Sequence, residues 1–274
     1  MRLNLFFLLV LPGLMLGLLY TPGYTQDLPV DPVRARIIQG WDLPDGRHVA
    51  GLELRLAPGW KTYWRNPGDA GIPPRFDWTR SRNIREIEVR WPAPKVYKEY
   101  GLHSIGYDER VLVPLYVTPR QDGDMRVRGR MDLGVCADVC LPYALSLDAT
   151  LTQDQSAAVP SIAAALASLP FTAQEAGVRQ VTCVLEPSPE GLRFEARIEM
   201  PTTGTDELVI IEPNLPDIWV FDAKTHRKGD VLRATSEFVH QNGAAFAIDR
   251  RQIRLTVLGG DYAVEIQGCA AHLN

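Results

Sequence analysis

The sequence predicts an all-β protein: two antiparallel β-sandwich domains joined by a short helical linker. Three observations carry this. Apolar and polar residues alternate along most of the 274 residues, the period of strands with one buried face. Proline and glycine, 21 and 22 of them, cluster between these runs and give the regular rhythm of short strands and turns that sandwiches have. One stretch near the middle breaks the pattern, being alanine-rich and bounded by prolines, and reads as a helix.

Taken in order, residues 1–25 read as a secretory signal peptide. Arg2 precedes an apolar run from Leu5 to Leu19 that Pro12 and Gly13 interrupt, and that run is shorter than the roughly 20 residues of a membrane-spanning helix. Gly23 and Thr25 suit positions minus three and minus one of a cut before Gln26, and no cysteine lies there to accept a lipid. The first β-domain is expected over 27–152. Its alternating runs are Leu52, Leu54, Leu56; Ile87, Val89, Trp91; Val113, Leu115, Val117; Met125, Val127, Met131, Leu133; and Leu145, Leu147, Leu151. Ala57-Pro-Gly59, Asn66-Pro-Gly68 and Gln121-Asp-Gly123 supply turns between them. Residues 153–176 form the expected linker, with the helix at Ser161–Ser168 between Pro160 and Pro170. A second, smaller β-domain is expected over 177–274, with strands near Leu192–Met200, Glu207–Glu212, Val231–Phe238, Ile253–Leu258 and Tyr262–Ile266.

Charge excludes one class of partner. Lys and Arg number 29 against 33 Asp and Glu, for a net charge of −4, and the basic residues are dispersed, so no nucleic-acid surface is expected. Beyond the signal no apolar run reaches bilayer length, and a soluble exported protein is expected.

Export allows disulfides to persist, so all four cysteines are candidates for bonding. Cys183 and Cys269 are far apart, and closing so long a loop removes roughly 4 to 5 kcal/mol of unfolded-chain entropy, which suits a structural disulfide. Cys136 and Cys140 would close a very small ring, worth only about 2 kcal/mol on the same reasoning, so stability alone is a poor reason for that pair. Three readings stay open for it: reversible thiol:disulfide exchange, Cu(I) binding by two soft sulfurs, and an inert structural bond. Zinc would need more ligands, and only His103 and Met131 are plausible additions, neither at a diagnostic spacing. No metal site is therefore assigned. Gly134 to Pro142 is expected to be a loop at the sandwich edge, and acidic Asp132 and Asp138 beside it disfavour thiolate. Trp60, Trp64, Trp78 and Trp91 read as packing residues.

Three stretches resemble a known family. Gly59-Trp-Lys-Thr-Tyr-Trp-Arg-Asn-Pro-Gly68, with Ala70-Gly-Ile-Pro-Pro74 and Phe76-Asp-Trp78, is similar to the early aromatic strand and turn of the DsbD N-terminal domain family. Trp91-Pro-Ala-Pro-Lys-Val-Tyr-Lys-Glu-Tyr-Gly101, with Ser104-Ile-Gly-Tyr107, resembles the segment holding that family's cap loop, and Cys136-Ala-Asp-Val-Cys-Leu-Pro142 resembles its redox loop. ScsB-like copper-tolerance relatives, with successive β-domains, are the nearest in pattern. The resemblance implies an immunoglobulin-like fold for the sandwiches. It implies a periplasmic module with no cofactor, taking electrons from a membrane conductor of DsbD/CcdA type and passing them to periplasmic thioredoxin-fold proteins, the chemistry that serves copper tolerance and cytochrome c maturation. It makes Cys140 the attacking and Cys136 the resolving cysteine, sets Tyr100, with Lys98 and Glu99, as the cap, and places Tyr63 along the same site. Two departures stand out. DsbD has more residues between its cysteines than the three here, and its membrane and thioredoxin-like parts have no counterpart in these residues.

Overall fold

The computed structural model describes residues 31–69, 71–99 and 101–271. The signal-peptide reading of 1–25 lies outside these residues, as do Tyr100 and the side chain of Glu99.

Ten strands build the first sandwich. They are β1 (Val33–Asp42), β2 (His48–Leu56), β3 (Lys61–Gly68), β4 (Arg75–Asp77), β5 (Ile84–Val89), β6 (Lys95–Glu99), β7 (Leu102–Asp108), β8 (Arg110–Pro119), β9 (Met125–Cys136) and β10 (Cys140–Leu151). One sheet runs β1-β2-β8-β5, and the other runs β10-β9-β3-β7-β6 with β4 also pairing β9. The inner faces meet on Leu52, Leu54, Trp64, Ile105, Leu115, Met131 and Leu133, all fully or almost fully buried. Along β9 buried and exposed residues alternate from Met125 to Leu133, the pattern by which the sequence announces the strand.

The helix α1 (Pro160–Ala167) starts with proline in its first turn, where the missing N–H costs nothing. It does more than connect. Ile162 and Ala165 pack with Val49 and Leu112 on the face of the β2/β8 pair opposite the core, so β2 is buried on both sides. Gly51 makes this seat possible: a Cβ there would lie 2.9 Å from Leu112 Cδ1 and 3.0 Å from Ile162 Cγ1.

The second sandwich contains β11 (Phe171–Thr172), β12 (Gln180–Pro187), β13 (Leu192–Glu199), β14 (Leu208–Glu212), β15 (Ile218–Val220), β16 (Lys224–Lys228), β17 (Val231–His240), β18 (Arg254–Leu258), β19 (Ala263–Gln267) and β20 (Ala270–Ala271). Its sheets run β11-β19-β18-β14 and β15-β17-β13-β12-β20, with β16 on β17. Pairing is antiparallel except for the short contacts β11–β19 and β12–β20, which are parallel. β11 thus joins this sheet from within the stretch that the sequence assigns to the linker. Phe194, Ile198, Leu232, Phe238, Leu255 and Val264 fill the core. Cys183 on β12 is bonded to Cys269, which leads into β20, with 5.7 Å between their Cα atoms.

The two sandwiches touch through one guanidinium above all. Arg65 on β3 bonds Glu212 on β14 at 2.9 Å, Glu265 on β19 at 2.7 Å and the Thr256 hydroxyl at 3.2 Å, and it stacks on Trp64 at 4.0 Å. Apolar Leu208, Ile210, Leu258 and Ala263 complete the contact with the core of the first sandwich.

Glu53 on β2 is buried beneath a fan of arginines: Arg55 at 3.0 Å, Arg36 at 2.5 Å and Arg110 at 2.6 Å. Arg55 first, then Arg36 and Arg110, outweigh burial and hold its carboxyl at about 2 instead of 4.5. Because the folded value is depressed, its contribution to stability is complete above the ordinary carboxylate range and is lost as pH falls from about 4.5 to about 2. Glu53→Gln should therefore cost about 2 kcal/mol at pH 7, and the difference from the parent should shrink over that acid window in urea titrations. Replacing both Cys183 and Cys269 by alanine should cost about 4 kcal/mol in the same assay; an unchanged midpoint would show that the bond is no staple.

Candidate functional site

The close cysteine pair sits where the sequence expects a loop, but there is no loop. The ladder between β9 and β10 continues without a shift from Met125↔Leu151 to Cys136↔Cys140, and only Ala137, Asp138 and Val139 turn the chain. Ala137 N–H closes this turn on the Val139 carbonyl at 3.1 Å. Pro142 is tolerated opposite Gly134 because β10 is an edge strand, where the missing N–H breaks no ladder. Cys136 and Cys140 stand directly opposite each other, 4.1 Å apart at Cα, and are disulfide-bonded.

Strand alternation sets what surrounds the bond. Cys136 pairs with Lys61 of β3, and Val135 pairs with Thr62. Cys136, Gly134, Lys61 and Tyr63 therefore share the outer face of the sheet, while Val135, Leu133 and Met131 face the core. Thr62 Oγ1 donates to the Gly134 carbonyl at 2.8 Å and fastens the two strands here.

Tyr63 crosses to the sulfurs. Its hydroxyl lies 2.7 Å from Cys136 Sγ and 3.3 Å from Cys140 Sγ, and since neither bonded sulfur carries a hydrogen, the hydroxyl is the donor. The ring rests between two glycines. A Cβ on Gly71 would come within 2.7 Å of Tyr63 Cδ1, and one on Gly134 within 2.9 Å of Cδ2 and Cε2. Tyr63 is 4% exposed and Cys136 2%, whereas Cys140 is exposed. One sulfur of the pair is buried and one is offered to solvent.

Apolar groups rim the offered side. Val139 at the turn is 51% exposed and Ile72 37%, and a hollow of about 410 Å³ beside Ile72 is lined by Pro73, Pro142 and Tyr143 together with the charged Arg75, Arg130 and Asp132. A cleft of about 1050 Å³ lies instead between the sandwiches, and neither cysteine lines it.

The other residues named from the sequence are distributed differently. Lys98 reaches Asp206 of the second sandwich at 3.4 Å, while Tyr100 and the Glu99 side chain lie outside the described residues. His103 and Met131, the possible extra metal ligands, are elsewhere: His103 turns to Asp222 at 3.1 Å, and Met131 is in the core. Asp132 is less of a burden on a thiolate than its sequence position suggests, because Arg130 pairs with it at 2.6 Å. Gly71 and Ile72, within the Ala70–Pro74 stretch that carries the resemblance, and Gly134, at the start of the expected loop, contribute to the site although no role in it is expected of them from the sequence. Tyr97, whose ring carries the Lys61 ammonium at 4.8 Å, belongs to the same outer face.

Together these features define an immunoglobulin-like sandwich with a half-exposed disulfide at a hairpin turn, shielded on one side by a tyrosine. The family model described as "Thiol:disulfide interchange protein DsbD, N-terminal" matches residues 29–151. Over these residues, a little under half of the chain, the sequence is similar to the DsbD N-terminal family. The crystal structure of the N-terminal periplasmic domain of ScsB from Proteus mirabilis is similar over both sandwiches, with a TM-score of 0.67 and 22% identity, covering 89% of this chain and 95% of that one. At that identity the likeness is one of fold. No curated protein matches this sequence.

Tyr63→Phe keeps the packing and deletes the donor. A hydrogen bond to a thiolate is stronger than one to a disulfide sulfur, so the variant should lose about 1 kcal/mol of preference for the reduced state, a potential roughly 20 mV more negative. Equilibration with glutathione buffers reads this directly. Gly134→Ala should cost about 1 to 3 kcal/mol in urea unfolding by displacing the Tyr63 ring.

Proposed function

We propose that this protein relays electrons in the periplasm through the Cys136/Cys140 pair. In the reduced state Cys140 thiolate attacks a sulfur of a partner disulfide; that S–S bond breaks, one partner sulfur leaves as a thiol after taking a proton, and a mixed disulfide forms. Cys136 thiolate then attacks Cys140 Sγ, releasing the second partner thiol and closing the Cys136–Cys140 bond. Two electrons and two protons pass to the partner. A membrane dithiol of DsbD/CcdA type restores the reduced pair by the reverse exchange, entering at Cys140. Thioredoxin-fold proteins are the acceptors.

The observation that carries this reading is the asymmetry of the pair. Cys140 is exposed at the turn, while Cys136 is 2% exposed beneath Tyr63, so an incoming sulfur has a path to Cys140 and the resolving sulfur is protected from outside attack. The family similarity of residues 29–151 supports the interchange chemistry, and the periplasmic origin of the ScsB structure supports the compartment. Tyr100, which follows Glu99 in sequence, is the shield this reading assigns, together with Lys98 and Glu99. Exposed Val139 and Ile72 would meet the partner once the shield yields.

Cys136→Ala, expressed in the periplasm, should trap Cys140 in a few mixed disulfides that a reductant releases, and Cys140→Ala should trap none. Absence of adducts while a maleimide still labels Cys140 would reject the relay. A reduction potential well below about −300 mV would do the same, marking the bond as inert.

A further inference from the structure

A second cluster of ligand-type side chains lies where the two sandwiches meet, away from the cysteines. Asp69 follows β3, His103 lies on β7, and Asp222 follows β15 of the second sandwich. One ligand atom from each falls within 4.8 Å of the others, and His103 Nδ1 is 3.1 Å from Asp222 Oδ2. We propose that Asp69, His103 and Asp222 form a divalent-cation site, best matched to zinc, that bridges the two sandwiches.

The backbone around each donor is held in place. Gly68 adopts a left-handed φ of 76°, and a Cβ there would sit 2.5 Å from the His103 carbonyl oxygen, so only glycine brings the chain this close to β7. Asp69 N–H then donates to that same carbonyl at 3.1 Å, setting the carboxylate beside the imidazole. On the opposite side Phe221 N–H donates to the Glu237 carbonyl at 3.1 Å, and the Ser236 hydroxyl donates to the Phe221 carbonyl at 2.5 Å. Asp222 therefore starts from a pinned strand end. Fixed backbones on both sides reduce the ordering cost of binding an ion.

Charge points the same way. Asp69 and Asp222 each place a carboxylate oxygen within 4.8 Å of the other and of a His103 ring nitrogen. Two carboxylates this close need a proton or a cation between them. Arg65 is engaged with Glu212 and Glu265, and Lys98 with Asp206, which leaves His103 as the basic partner of Asp222 among the described residues.

Donor chemistry selects the ion. One imidazole and two carboxylates form a three-ligand set with room for water, a usual arrangement for zinc with bonds of about 2.0–2.2 Å. A tetrahedral ion then needs its ligand atoms about 3.3 to 3.6 Å apart, a contraction that rotation of exposed Asp69 can supply. Cu(I) would prefer sulfur. With Cys136–Cys140 and Cys183–Cys269 both bonded, the described residues hold no free thiol to compete.

The test uses the full exported chain, free of any histidine tag, oxidised, and stripped with a chelator. Zinc titrated against a fluorescent zinc indicator should occupy one tight equivalent and raise the unfolding temperature. Asp222→Asn and His103→Gln should each weaken that equivalent at least tenfold and abolish the thermal shift, while melting of the metal-free variants checks that they fold. Absence of a one-equivalent site, or one unchanged in the Asp69→Asn/His103→Gln/Asp222→Asn triple variant, overturns the proposal and leaves a simple His103–Asp222 hydrogen bond. Anomalous scattering at the zinc edge from crystals of the unaltered protein tests the site independently: a peak between His103 and Asp222 supports it, and one elsewhere rejects it.

Discussion

Direct opposition of Cys136 and Cys140 across the β9–β10 ladder is the constraint on which the site depends. Register in an antiparallel pair has a period of two, so a slip of one residue would turn one cysteine toward the core and separate the sulfurs. The long apolar alternation of β9, buried at Met125, Val127, Met131 and Leu133, prevents such a slip. Residues far from the chemistry thereby decide that two thiols meet at the turn.

The second requirement is room. Tyr63 lies on the outer face of its strand, a position normally solvated, yet it is almost fully buried because Gly71 and Gly134 leave space on either side of the ring. The same packing buries Cys136 and leaves Cys140 at the surface. A chemically symmetric disulfide is made unequal by its surroundings, and Cys140 is left as the accessible sulfur.

The second sandwich is not a detached neighbour. Arg65, on the same strand as Tyr63, commits its guanidinium to Glu212, Glu265 and Thr256. Lys98 and His103, on either side of the β6–β7 turn, reach Asp206 and Asp222. The strands that build the outer face of the first sandwich are thus tied at several points to the domain that follows.

Much of this was legible in the residues. Alternation and punctuation determine the all-β class, the helix near 160 and the long strands of both sandwiches, because one-sided burial writes itself as a period of two. Short strands such as β4 and β15 leave too few residues for a period to register, β16 has no apolar residue to mark one, and the Gly134–Pro142 stretch reads as a loop because its breakers sit on an edge strand that tolerates them. The cysteine spacing likewise determines, without coordinates, that the close pair offers little stability and invites another use. Only the tertiary structure decided which sulfur is buried, that Arg130 offsets Asp132, that α1 seals the outer face of β2, and that Asp69, His103 and Asp222 converge. Each of these depends on side chains brought together from separate strands, and contact across a sheet or between sandwiches leaves no periodic trace in the chain that forms it.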